Sequence, residues 1–124
     1  MIRGIGLDLC EITRMENAIT HPRFLQRVFS PEEQEYILSK GKTSGQTAAG
    51  LYAAKEAFLK AVGTGITSLD LCEIRISHDE KGAPFYLLGD RQKDLLSLRG
   101  ADSAFLSITH EGGMAAALCV LEGC

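Results

Sequence analysis

The chain has 124 residues, 45% of them hydrophobic and 23% charged, with a net charge of -3. A length and composition of this kind describe one globular domain, residues 1–124, that buries about two-thirds of its unfolded surface. The acidic balance argues against a nucleic-acid binder, and no apolar run reaches membrane-spanning length. Met1-Ile2-Arg3-Gly4 lacks the plan of a signal peptide, so no membrane association and a cytoplasmic location are expected. Cys10, Cys72, Cys119 and Cys124 form no close pair, and His21, His78 and His110 are widely separated. Neither pattern suggests a zinc site, and the first three cysteines read as small apolar residues in or beside strands.

Ile2 to Leu9 alternates as a strand, with Ile5, Leu7 and Leu9 on one face and Gly4, Gly6 and Asp8 on the other. Two glycines on one face imply close approach by another backbone or a ligand, and they leave Asp8 at the end of a cleared strip. Ile12 to Ile19 and Arg23 to Phe29 read as short helical segments separated by His21-Pro22. Arg14, Arg23 and Arg27 make this region basic within an acidic chain. Such a run is either a solvated face or a docking surface for an acidic partner.

Ser30-Pro31-Glu32-Glu33 is a helix start, with Ser30 as cap and Glu33 closing a capping box. That helix reaches about Lys40. A second, longer helix runs from about Gln46 to Val62, with Ser44 as a plausible cap and Gly63 as its stop. Leu51, Ala54, Phe58, Ala61 and Val62 form its apolar face, Lys55 falls within that sector and needs a partner, and Glu56 and Lys60 share another face. On spacing alone Glu56 and Lys60 are an ordinary helix pair. Immediately after them, however, comes Gly63-Thr64-Gly65, a turn whose amides would let a phosphate approach closely. With Asp8 as a second carboxylate, the set suits a hard cation such as Mg2+ bound to a phosphate ester.

Cys72 to Ser77 and Pro84 to Leu88 read as a hairpin about Asp79-Glu80-Lys81-Gly82. Asp90 reads as the cap of a helix through Leu98 that ends at Gly100. Ser103 to His110 and Met114 to Leu121 form a second hairpin joined at Glu111-Gly112-Gly113, and His110 ends its strand beside that turn, after Ser107 and Thr109. The element order predicts an α+β domain with the long helix laid on an antiparallel sheet.

Three segments, Gly4 to Ile12, Ala53 to Ile66 and Ser107 to His110, together resemble the holo-[acyl-carrier-protein] synthases, small bacterial 4'-phosphopantetheinyl transferases. The match in length, motif order and spacing covers essentially the whole chain. The resemblance implies the 4'-phosphopantetheinyl transferase fold. It also implies transfer of the phosphopantetheine arm of coenzyme A to a serine of apo acyl carrier protein, releasing adenosine 3',5'-bisphosphate, a step of fatty-acid biosynthesis. By resemblance Asp8 and Glu56 hold Mg2+, and Glu56, directly or through a water, is the base for the serine hydroxyl. The resemblance also implies that Lys60 stabilises or protonates the departing phosphate oxygen. Gly63, Thr64 and Gly65 lie along the nucleotide, and Thr109 and His110 touch its ribose-phosphate end. Arg14, with Arg23 and Arg27 beside it, meets the acidic carrier, and the assembly is a homotrimer with shared active sites. One departure is Leu51-Tyr52, where many members carry Arg-Phe or Arg-Trp. The competing reading is a trimeric module that binds coenzyme A or a nucleotide without turnover. That module would tolerate loss of Glu56.

Overall fold

The computed structural model describes residues 1–63 and 69–124. Strand β1 (Ile2–Glu11) is followed by three short helices, α1 (Ile12–Ala18), α2 (Pro22–Val28) and α3 (Pro31–Leu38), and then by the long helix α4 (Ser44–Val62). After it come the hairpin β2 (Arg75–His78) and β3 (Pro84–Leu87), helix α5 (Asp90–Leu98), and the hairpin β4 (Ser103–Glu111) and β5 (Met114–Glu122). The main sheet is antiparallel in the order β1-β5-β4, and β2 pairs with β3 in a separate two-stranded sheet. This is the α+β arrangement that the element order predicts.

Helix α4 lies across the inner face of the main sheet, and its contact with β1 explains the glycine alternation. A Cβ at Gly6 would fall on the Ala57 carbonyl oxygen, and one at Gly4 on that of Ala61. The strip is therefore cleared for a helix backbone rather than for a ligand. Leu51, Ala54, Phe58, Ala61 and Val62 are all buried, as their spacing predicts. Phe58 packs against Tyr86 of β3, whose hydroxyl donates to Ala54 O at 2.7 Å.

Lys55 enters the core with no exposed surface. Its Nζ donates to Glu33 Oε1 at 2.7 Å, Ile74 O at 2.7 Å and Leu71 O at 3.0 Å, which uses all three of its N–H groups. Glu33 in turn accepts from Ser30 N within the capping box, at 2.9 Å, and from Ile76 N, at 2.8 Å. Burial pulls the Lys55 ammonium below its ordinary pKa while Glu33 pushes it back up. A buried ion pair of this kind is sustained by complete hydrogen bonding.

Local details depart from the sequence expectations. Ser44 is the first residue of α4 and not its cap, because its hydroxyl donates to Ile37 O at 2.8 Å. The predicted strand from Cys72 begins instead as a 3-10 turn, Leu71–Glu73, whose Leu71 carbonyl turns inward to Lys55. Gly89 occupies the cap position before α5, and Asp90 is its first residue. Gly112 and Gly113, with φ of 58° and 79°, make the tight left-handed turn between β4 and β5. The outer face of the sheet is apolar and open: Ile5, Leu7, Leu9, Phe105 and Leu118 are 38–62% exposed.

Gly6→Ala is expected to cost about 2–3 kcal/mol, because a fixed helix carbonyl stands where the methyl would go. Urea denaturation would show it as a lowered midpoint at unchanged slope, and an unaltered midpoint would contradict the close contact.

Candidate active site

Asp8 sits in the middle of β1, which continues to Glu11, and not at the strand end that the sequence suggested. It shares an inner-face row with Ala117 of β5 and Ile108 of β4. Because Gly4 and Gly6, which precede it on the same face, let α4 settle onto β1, Lys60 reaches across to it. Lys60 Nζ donates to Asp8 Oδ1 and to Leu7 O, each at 3.0 Å. The Asp8 side chain is 16% exposed and that of Lys60 55%, so the carboxylate is largely covered while the ammonium faces solvent.

Glu56 stands one helical turn before Lys60, half-buried on the same side of α4. Lys60 thus pairs with Asp8 across the fold and not with Glu56 along the helix. Neither Asp8 Oδ2 nor the Glu56 carboxylate enters an ion pair among the described residues. Two carboxylates beside a single ammonium leave a charge balance that a cation would complete. No group of three or more histidine, cysteine or acidic ligands occurs among the described residues. That donor set suits Mg2+, which keeps several waters and takes one or two carboxylates plus substrate phosphates, and it does not suit a cage built entirely by protein.

A neighbour that sequence reasoning passed over is Tyr52, one turn before Glu56 on α4. Its ring stacks on Phe24 of α2, with centroids 6.3 Å apart at 28°, and the Arg14 guanidinium of α1 lies 6.0 Å from its centroid. Burial and the adjoining Glu56 carboxylate push the Tyr52 phenol above its ordinary range. The i, i+4 spacing of Tyr52, Glu56 and Lys60 carried this signal. Leu51, the departure from the resembling family, is buried on another side of the helix, against a small cavity lined by Glu33, Tyr36, Ile76 and His78. It does not border the Asp8–Lys60 pair.

The remaining expected ligand residues divide between two places. Gly63 caps the C-terminus of α4 with φ of 103°. His110 is exposed at the opposite end of that helix, its Nε2 within 3.1 Å of Gln46 Nε2. Gln46 and Gly63 are about 25 Å apart along the helix axis. Thr109 and His110 are successive strand residues, so they point to opposite faces, Thr109 to the outer one. Thr64 and Gly65 lie outside the described residues.

Arg14, Arg23 and Arg27 are exposed on α1 and α2, and none enters an ion pair among the described residues. A groove of about 710 Å³, bordered by Arg27, Phe24, Tyr52 and Leu69, connects these helices to the flank of α4. Another, of about 680 Å³, bordered by residues of α2, α3 and α5, contains none of the expected site residues.

Residues 4–119 match the family model of the 4'-phosphopantetheinyl transferase superfamily. The holo-[acyl-carrier-protein] synthase of Treponema denticola is 41% identical over 123 residues, covering 99% of this chain and 100% of that protein. That of Trichlorobacter lovleyi is 43% identical over 126 residues, covering 98% of each. Among solved structures, holo-[acyl-carrier-protein] synthase of Helicobacter pylori in complex with coenzyme A superposes with a TM-score of 0.80 at 35% identity, covering 95% of this chain and 99% of that one. A fold, a motif order and a full-length match thus agree, and the chain belongs to the 4'-phosphopantetheinyl transferase superfamily.

Proposed function

We infer that this chain is a holo-[acyl-carrier-protein] synthase, transferring the 4'-phosphopantetheine arm of coenzyme A to a serine of apo acyl carrier protein. The observation that carries the site assignment is the Lys60–Asp8 contact, at 3.0 Å, one helical turn from Glu56. It gathers an ammonium and two carboxylates where packing requires none of them. In the reaction the serine Oγ forms a bond to the phosphorus that bears the pantetheine arm. The bond from that phosphorus to the bridging oxygen breaks, and adenosine 3',5'-bisphosphate leaves with the electron pair.

Glu56, half-buried one helical turn from Lys60, takes the serine proton. Lys60 neutralises the charge that develops on the departing phosphate oxygen, a role suited to a flexible, partly exposed ammonium that Asp8 and Leu7 O hold in place. Asp8 and Glu56 would hold Mg2+, which when bound supplies polarisation of the diphosphate oxygens. Gly63, with Thr64 and Gly65 after it, accommodates the nucleotide. Arg14, Arg23 and Arg27 receive the acidic carrier, attraction between opposite charges steering the encounter.

Thr109 and His110 belong to the same ligand only if a second copy supplies them, because one chain holds Gly63 and His110 at opposite ends of α4. The open apolar sheet face, with Ile5, Leu7, Leu9, Phe105 and Leu118, offers the surface for that contact. These two features support the homotrimer with coenzyme A sites between subunits that the resemblance implies. No described helix is long and apolar enough to cross a membrane.

The decisive experiment is intact-mass analysis of apo acyl carrier protein incubated with coenzyme A and Mg2+. The native chain should add one phosphopantetheine, EDTA should abolish the addition, and Asp8→Ala or Glu56→Ala should each slow it about 100-fold or more. A folded chain that adds nothing to any of several carriers would favour the binding module instead. Turnover that survives both substitutions would remove the metal assignment.

Leu7→Glu, placed at the centre of the open sheet face, should convert the assembly to monomers in sedimentation velocity and abolish transfer while circular dichroism is retained. An active monomer would show that each chain completes its own site.

A further inference from the structure

We propose, resting on the reading above in which Gly63 accommodates the nucleotide, that Arg99 binds the 5'-phosphate of coenzyme A and shares it with Lys60. This is the phosphate that departs on adenosine 3',5'-bisphosphate. Gly63 caps the end of α4, where free carbonyls give a helix partial negative charge. A phosphate brought to that end is repelled unless cations stand beside it. Lys60, in the last turn, is one such cation. It lies about 4.5 Å from Gly63 along the helix axis, and residues three apart are neighbours on a helix surface.

Arg99 is the other. Its Nη1 lies 3.5 Å from the point where a Cβ on Gly63 would stand, on the side that the missing side chain leaves clear. The residue is carried on a firmly closed helix end. Arg99 is the C-cap of α5, and beyond it Gly100 N donates to Ser97 O and Ala101 N to Leu96 O, each at 2.9 Å. Its Nη2 donates to Arg3 O at 3.5 Å, and the Arg3 side chain packs on Gly100 while its own Nη2 donates to Cys124 O. Two arginines from β1 and α5 therefore meet at the end of α4. Neither enters an ion pair with a side-chain carboxylate among the described residues. Arg3 Nε is also the one buried side-chain nitrogen or oxygen among the described residues with no hydrogen-bond partner. Cations gathered without a counter-charge are completed by an anion, and a planar guanidinium bonds two phosphate oxygens at once. The 3'-phosphate is expected beside Thr109 and His110 of a second copy, which leaves the 5'-phosphate for the Lys60 end. The competing reading is purely structural, because a cation beside a helix C-terminus supports the helix whether or not a ligand comes.

The test is calorimetric titration of the native chain, Arg99→Gln and Arg99→Lys with adenosine 3',5'-bisphosphate and with 3'-dephospho-coenzyme A, in Mg2+. Arg99 is exposed, so both variants should fold. Arg99→Gln should weaken both ligands about tenfold or more, and Arg99→Lys should recover part of the loss. In steady-state transfer Arg99→Gln should raise KM for coenzyme A by a similar factor and leave the carrier KM within about twofold of native. The melting temperature of the free protein should not change. If Arg99→Gln weakens the bisphosphate and leaves 3'-dephospho-coenzyme A as in the native chain, Arg99 serves the 3'-phosphate and the assignment is overturned. Native affinity for both ligands, with or without a lowered melting temperature, overturns the binding role. A native chain that binds neither ligand removes the coenzyme A reading together with this one. A native chain that binds both as tightly as Arg99→Gln does removes only the role of Arg99.

Discussion

The backbone-to-helix contact between β1 and α4 is the constraint on which the rest of the structure depends. Gly4 and Gly6 bring the strand against the carbonyls of Ala61 and Ala57, nearer than any side chain would permit. Small residues on the facing helix, Ala53, Ala54, Ala57 and Ala61, complete the approach, and all are buried. The separation of the two elements in turn sets the reach of Lys60. A methyl group at either glycine would lift the helix, and an ammonium carried on it would no longer meet Asp8. The Asp8–Lys60 geometry and the core packing here rest on the same contact. Asp8 and Lys60 therefore sit on regular structure and not on loops, which is where a constellation is held most precisely.

Much of this was legible in the sequence because it is periodic. Alternation marked β1, the capping box marked α3, and the apolar spacing of Leu51, Ala54, Phe58, Ala61 and Val62 marked the face of α4 that is buried. The glycine strip announced a close approach without saying what approached. Lys55 announced a buried charge without naming Glu33, which lies 22 residues away on another helix. Pairings of that kind depend on how elements dock, and local pattern carries no record of it. The choice by Lys60 of Asp8 over Glu56 was hidden for the same reason. In an isolated helix the i, i+4 partner is the nearer one, and only the sheet supplies an alternative.

The other limits also have physical causes. Alternation tells which residues share a face but not which face looks inward, so the apolar row of Ile5, Leu7 and Leu9 reads naturally as core. In the fold it is the glycine and aspartate row that faces the helix. Bulky side chains on that row would not admit α4 at this distance. The 3-10 turn at Leu71–Glu73 has strand-like composition, yet its Leu71 carbonyl is required by Lys55, a tertiary demand that overrides local preference.

The three-way coordination of the Lys55 ammonium bears on how the molecule comes apart. Its acceptors are contributed by α3 and by the segment from Leu71 to Ile74, so the full set exists only after both have docked on α4. An ammonium brought into an apolar interior before its acceptors arrive carries its desolvation cost uncompensated. The network is therefore a late-closing latch. Interactions absent from the folding transition state slow unfolding and leave the rate of folding nearly untouched. Lys55 and Glu33 then contribute chiefly to the lifetime of the folded state, a property that the unfolding limb of a chevron reads directly.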